Sequence, residues 1–115
     1  MKALLVDDDQ VTLKLETMIL GQCEGIDEVV PYKSAVDAYQ WVTDNSVDIA
    51  FLDIMMDEAD GISLAMEIKN VNPDCKIVFV SGSRDFALDA FQVYASGYLL
   101  KPLVKEEVEA LLGHM

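Results

Sequence analysis

Asp7 and Asp8 directly follow the apolar run Ala3-Leu4-Leu5-Val6, and Asp53 directly follows Ile49-Ala50-Phe51-Leu52. Ser81 ends the run Ile77-Val78-Phe79-Val80, and Lys101 ends Leu99-Leu100. If the runs are parallel strands, these side chains converge, because an open parallel sheet gathers its functional groups in the crevice beyond the carboxyl ends of its strands. Carboxylates held together there either keep protons or share a cation, and aspartate with backbone carbonyl oxygen suits Mg²⁺. With the cation screening their charge, one carboxylate could attack a phosphoryl group while the Lys101 ammonium and the Ser81 hydroxyl contact its equatorial oxygens. Asp53 is the nucleophile candidate. It stands alone at the end of the central run, and the flexible-looking segment Met55-Met56-Asp57-Glu58-Ala59-Asp60-Gly61 after it can supply a carbonyl ligand.

The elements that must position these groups are legible as an alternation. Apolar runs over 2–6, 28–32, 48–52, 76–80 and 97–100 read as buried strands, each followed by a segment with helical spacing. The helical stripes are Val11, Leu15, Met18 and Ile19; Ala35, Ala38, Tyr39 and Val42; and Leu64, Ile68 and Val71. Ala87, Ala90, Phe91 and Tyr94 form the fourth, and Val104, Val108, Leu111 and Leu112 the fifth. Asp9 is placed to cap the first helix, Ser34 with Asp37 forms a capping box, Ser83 is positioned to cap the fourth helix, and Asn72-Pro73 stops the third. The result is five βα units in one α/β domain over 1–115, whose right-handed crossovers put helices on both faces of a parallel sheet. Trp41 and Tyr39 fit packing by the second helix, and His114 takes no role.

Composition narrows the partners. Lys plus Arg number 8 against 21 for Asp plus Glu, and a formal charge of −13 repels nucleic-acid phosphates and anionic lipid headgroups. The apolar stretch at the start runs into three aspartates and is too short for a signal-peptide core or membrane span, so a cytoplasmic, soluble protein is expected. Cys23 and Cys75 lack metal-type spacing and read as buried thiols.

On these residues the chain resembles a bacterial response-regulator receiver domain. Leu4-Leu5-Val6-Asp7-Asp8-Asp9 resembles that family's acidic-pair motif, and Phe51-Leu52-Asp53-Ile54-Met55-Met56 its phosphorylation-site motif. Ser81-Gly82 is similar to its hydroxyl-plus-small-residue motif, and Tyr98-Leu99-Leu100-Lys101-Pro102 to its aromatic switch, lysine and proline. The resemblance covers essentially the whole chain. It implies a flavodoxin-like (βα)5 sandwich with strand order 2-1-3-4-5. It makes Asp8 a direct Mg²⁺ ligand, Asp7 a ligand mainly through water, Asp53 the phosphoacceptor and the Met55 carbonyl a further ligand. It further implies that a sensor histidine kinase or histidine phosphotransfer protein supplies the phosphoryl group. Ser81 then turns toward it, and Tyr98 swings inward. The face formed by the fourth helix, fifth strand and fifth helix is thereby remodelled for an output domain, a target protein or a phosphorylation-dependent homodimer. Simple core packing is the competing role for Tyr98. The segment from Phe86 to Phe91 also resembles receivers attached to LytTR-type DNA-binding domains; these 115 residues hold no such domain.

Two positions depart from the family pattern: Asp57 stands where proline is common, and Ala59 where methionine is frequent. Loss of proline is expected to loosen the loop, and an added carboxylate either to raise cation affinity or to discourage anionic phosphodonors. A second reading comes from Asp7-Asp8-Asp9-Gln10-Val11, which is similar to the nucleophile motif of haloacid-dehalogenase-like phosphohydrolases, with Asp7 as nucleophile and Asp9 as general acid/base. Nothing after Lys101 supplies that family's further acidic motif. A third is a receiver-like interaction module that no longer takes phosphate, against which stands the intact set Asp7, Asp8, Asp53, Ser81 and Lys101. Flavodoxin proper needs a phosphate-cradling loop after the first strand, where this chain has aspartates.

Overall fold

A computed structural model describes residues 1–56 and 60–115. In chain order the elements are β1 (Lys2–Val6), α1 (Gln10–Gln22), β2 (Glu28–Tyr32), α2 (Ala35–Asp44), β3 (Ile49–Asp53), α3 (Gly61–Val71), β4 (Lys76–Ser81), α4 (Ala87–Gln92), β5 (Gly97–Leu100) and α5 (Lys105–Gly113). The strands pair in parallel in the order β2-β1-β3-β4-β5, as the resemblance implied.

Parallel strands covered on both faces lose the polar alternation of a half-wet sheet. β3 is buried at every residue and β4 at all but Lys76. Leu4, Val6, Ala50, Leu52, Ile77 and Phe79 point to one face, where Ala38 and Val42 of α2, Leu64 and Ile68 of α3 and Ala90 of α4 cover them. Ala3, Leu5, Ile49, Phe51, Val78 and Val80 point the other way, onto Leu20 of α1 and Val108 of α5. The edge strands β2 and β5 are only partly covered, and β2 tolerates Pro31 because an edge strand needs no second ladder of donors.

Helix punctuation agrees with the sequence at three of four places. The Asp9 carboxylate accepts from Thr12 N at 3.1 Å, Ser34 Oγ accepts from Asp37 N at 3.2 Å, and α3 ends on Asn72. The fourth cap differs: α4 begins after Phe86 with no side-chain cap, and Ser83 Oγ instead accepts from Asp85 N in the preceding turn. Both cysteines are buried thiols, as expected.

Several stripes also differ from expectation. Val11, Leu15 and Met18 of α1 are exposed, and the helix turns Leu13, Glu16 and Leu20 toward the sheet. In α4 only Ala90 of the expected stripe is buried; Phe91 is exposed, and Tyr94 lies beyond the helix with φ of 59°. Val71 and Val104 are also exposed, and Val104 precedes α5 as its cap residue. The α2 stripe holds, with Ala35, Ala38 and Val42 buried and Tyr39 partly so. Asp57 and Ala59, which carry the family departures, and Glu58 lie outside the described residues. No helix among the described residues is long and apolar enough to cross a membrane.

Candidate functional site

Sheet register brings distant residues level. Val6 pairs with Leu52, so Asp7, one step beyond β1, lies beside Asp53, which ends β3 opposite Val80. Side chains alternate along a strand, so Asp7 and Asp53 follow Leu5 and Phe51 toward the α1–α5 face. Lys101 extends β5 by one step, its N–H donating to the Ser81 carbonyl at 2.8 Å.

The Lys101 ammonium sits 2.8 Å from Asp7 Oδ2 and 3.3 Å from Asp53 Oδ2. Carboxylate oxygens of Asp7, Asp8 and Asp53 all lie within 4.8 Å of one another. Three carboxylates against this one ammonium leave the cluster negative, and hard oxygen donors so gathered fit a divalent cation such as Mg²⁺. Burial and then the Asp7 charge raise the Asp53 pKa, against the opposing pull of Lys101. Lys101 loses hydration on burial, yet its hydrogen bond to Asp7 and the charges of Asp53 and Asp7 outweigh this and raise its pKa. The ammonium is therefore held charged.

The carboxylates are not equivalent. Asp7 is fully buried, with Oδ2 on Lys101 and Oδ1 accepting from Asp9 N at 2.9 Å. Asp53 keeps 8% of its surface open and accepts from the backbone N–H of Met55. A phosphohydrolase with Asp7 as nucleophile would need that carboxyl reachable and Asp9 above it, whereas Asp9 is spent on capping α1, where Thr12 holds its pKa down.

The remaining expected residues lie at the same end of the sheet. Ser81 is buried one step beyond Val80, its hydroxyl accepting from Ser83 N at 3.2 Å. Tyr98 is half-buried against the α2–α4 face, and its hydroxyl donates to the Ser83 carbonyl, tying β5 to the connection before α4. The Met55 side chain is exposed, and its backbone forms an isolated antiparallel bridge with Asp60.

Two residues at the site were missed. Gly61 N donates to the Ile54 carbonyl at 2.8 Å, and a Cβ at Gly61 would fall 2.0 Å from the Asp53 carbonyl oxygen. The first turn of α3 thus presses directly on the phosphoacceptor candidate's backbone. A glycine inside a helix start, where it weakens the helix, was the available signal. Glu16 is 3% exposed, and as an ionised carboxylate its oxygens meet no donor among the described residues. Burial, then a hydrogen bond with Asp7 that the protonated acid can donate, and the Asp7 charge push its pKa up to about 8. Its spacing from Leu13 and Leu20 marked a second possible inward stripe.

Comparison with known proteins gives one consistent family. Residues 3–112 match the response regulator receiver domain. The sensory transduction protein LytR of Staphylococcus epidermidis is 32% identical over 108 residues, which is 94% of this chain and 43% of that protein. The sensory transduction protein LytT of Enterococcus faecalis is 29% identical over 112 residues, 97% of this chain and 46% of that protein. This chain thus spans less than half the length of these relatives. Among solved structures, the response regulatory domain of mrkE from Klebsiella pneumoniae superposes with a TM-score of 0.87 at 26% identity, covering 99% of this chain and 93% of that one. TrrA from Thermotoga maritima, solved in complex with Mg(2+)-BeF, gives 0.86 at 25% identity, covering 99% and 98%.

Proposed function

The chain belongs to the response regulator receiver domain family, and on that premise we propose that Asp53 is the phosphoacceptor of a Mg²⁺-dependent signalling switch. The observation that carries this reading is the contact of Lys101 with both Asp7 and Asp53 beside the partly open Asp53 carboxylate. Asp7, Asp8, Asp53 and the Met55 carbonyl would hold the cation, which when bound neutralises charge between the carboxylates and the incoming phosphoryl oxygens. The Mg(2+)-BeF complex of the TrrA relative supports that choice of ion.

The donor is a phosphohistidine on a sensor histidine kinase or phosphotransfer protein. An Asp53 oxygen attacks phosphorus, the O–P bond forms, the P–N bond breaks, and the imidazole leaves with a proton from solvent. Lys101 holds the transferred oxygens by a charge-assisted hydrogen bond, and the Ser81 hydroxyl turns from Ser83 to join it. That turn releases the Ser83 region to which Tyr98 is bonded, so Tyr98 repositions and the surface of α4, β5 and α5 changes toward its output domain, target protein or second copy. The domain acts in the cytoplasm and does not process a turnover substrate.

Incubation with a small phosphodonor, with and without Mg²⁺, tests the reading by intact mass. Wild type gains one phosphoryl group only with Mg²⁺, and Asp53→Asn gains none. Equal labelling of both proteins overturns the assignment.

A further inference from the structure

Beside the acidic cluster, α3 and α4 do not close on each other. They flank an open cleft of about 990 Å³. Met55, Met56, Ile62 and Met66 line one wall, and Phe86 and Val93 the other. Asp8, Asp9, Asp60 and Asp89 stand around it, and no lysine or arginine lines it among the described residues. Met55 and Met66 are each more than half exposed, while Met56, Ile62, Phe86 and Val93 form the partly buried floor against the core.

We propose that this cleft docks a cationic amphipathic helix of a partner protein, with apolar side chains between the methionines and Lys or Arg against the acidic rim. Methionine's flexible, polarizable side chain adapts to varied apolar anchors, and a helix lying in an apolar groove is a common recognition mode. Charge selects the occupant. A second copy of this chain brings net −13 to an acidic rim, and an acidic or anionic partner meets the same repulsion, whereas a basic helix is steered inward. The site lies between α3 and α4 and shares α4, but neither β5 nor α5, with the α4–β5–α5 output surface. Occupancy has a structural consequence, because α4 contributes one wall and carries a single buried residue, Ala90. A docked helix pins α4 to α3 and shifts the balance of its positions by the difference in binding energy between them.

Fluorescence polarisation with a labelled helical peptide of leucine and lysine, segregated to opposite faces, tests this. Three substitutions are compared, with circular dichroism confirming that each variant folds. Met66→Lys and Asp89→Lys, both at exposed positions in the cleft, each weaken binding by about tenfold or more. Asp44→Lys, the same charge change as Asp89→Lys but at the far end of α2, alters it less than about twofold at moderate salt. A lysine–glutamine peptide of equal charge fails to bind. Equal losses in all three variants, or equal binding of the polar peptide, would reduce the effect to net charge and overturn the proposal, as would absence of binding. A dimer of the protein alone that Met66→Lys dissolves would assign the cleft to a second copy and overturn it too. Met66→Lys, at a position outside the acidic cluster, still takes a phosphoryl group from the small donor with Mg²⁺, so a failed phosphoacceptor assignment and a failed docking site are told apart.

Discussion

The chemical end of the sheet and the α4–β5 flank are built to different standards. β3 is buried at every position and β4 at nearly every one, and β3 delivers its last side chain, Asp53, to the acidic cluster. β5 is only half-buried throughout, and α4 is a six-residue helix with one buried side chain and with Leu88 and Phe91 exposed. Phosphoryl transfer to a carboxylate requires donors held in place, and that placement comes from dense packing. A switch requires two arrangements close in energy, and sparse packing supplies a small gap between them. The Tyr98–Ser83 hydrogen bond is a link between the two regions.

Substitutions can break or sharpen that contrast. Phe79→Ala on β4 empties a fully buried site facing α3 and α4 and is expected to cost about 4 kcal/mol in urea unfolding; a cost near that of a surface change would dissolve the contrast. Gly61→Ala forces a Cβ against the Asp53 carbonyl and costs about 3 kcal/mol, since backbone and not a flexible side chain must yield. Phosphorylation of that variant should slow more than its stability falls.

Glu16 gives a smaller effect with a definite sign. Its folded pKa, about 8, is above its unfolded value near 4.5, so the folded state holds the proton more tightly. That contribution to stability is full below pH 4.5 and is lost as pH rises through about 8. In chelator, wild type should lose on the order of 2 kcal/mol more than Glu16→Gln between pH 6 and pH 9, read from paired denaturation curves. Parallel pH profiles would remove Glu16 from the account. Smallest of all, Phe91→Ser on α4 should change stability by less than about 0.5 kcal/mol, because its ring is already in water. A loss of several times that would mean α4 packs more tightly than its exposure indicates.

The same contrast governs what could be read from the chain. At the chemical end, β1, β3 and β4 were legible because fully buried strands are continuous apolar runs, and each polar residue that stopped a run lay at the sheet edge. The contact of Lys101 with Asp7 and Asp53 follows from that arrangement, although Gly61 and Glu16 escaped notice. On the flank, the expected α4 stripe failed. A helix of fewer than two turns has too few residues to reveal its phase, so attachment to Phe86, Ala90 and Val93 decides which side faces in. α1 failed for another reason: it carries two apolar stripes, and the one that packs includes a carboxylic acid.

Sequence by itself determined the alternation of strands and helices, the caps at Asp9 and Ser34, and the set of carboxylates, hydroxyl and amine at strand ends, because these depend on local periodicity and short-range hydrogen bonds. Tertiary structure alone decided that Asp7 is sealed beneath Lys101 while Asp53 stays reachable, that Glu16 is buried beside Asp7, and that α3 and α4 stand apart around an acidic, methionine-lined cleft. Those outcomes depend on which face each helix turns inward and how closely neighbours approach, and such long-range packing is set by the whole core rather than by any segment's own pattern.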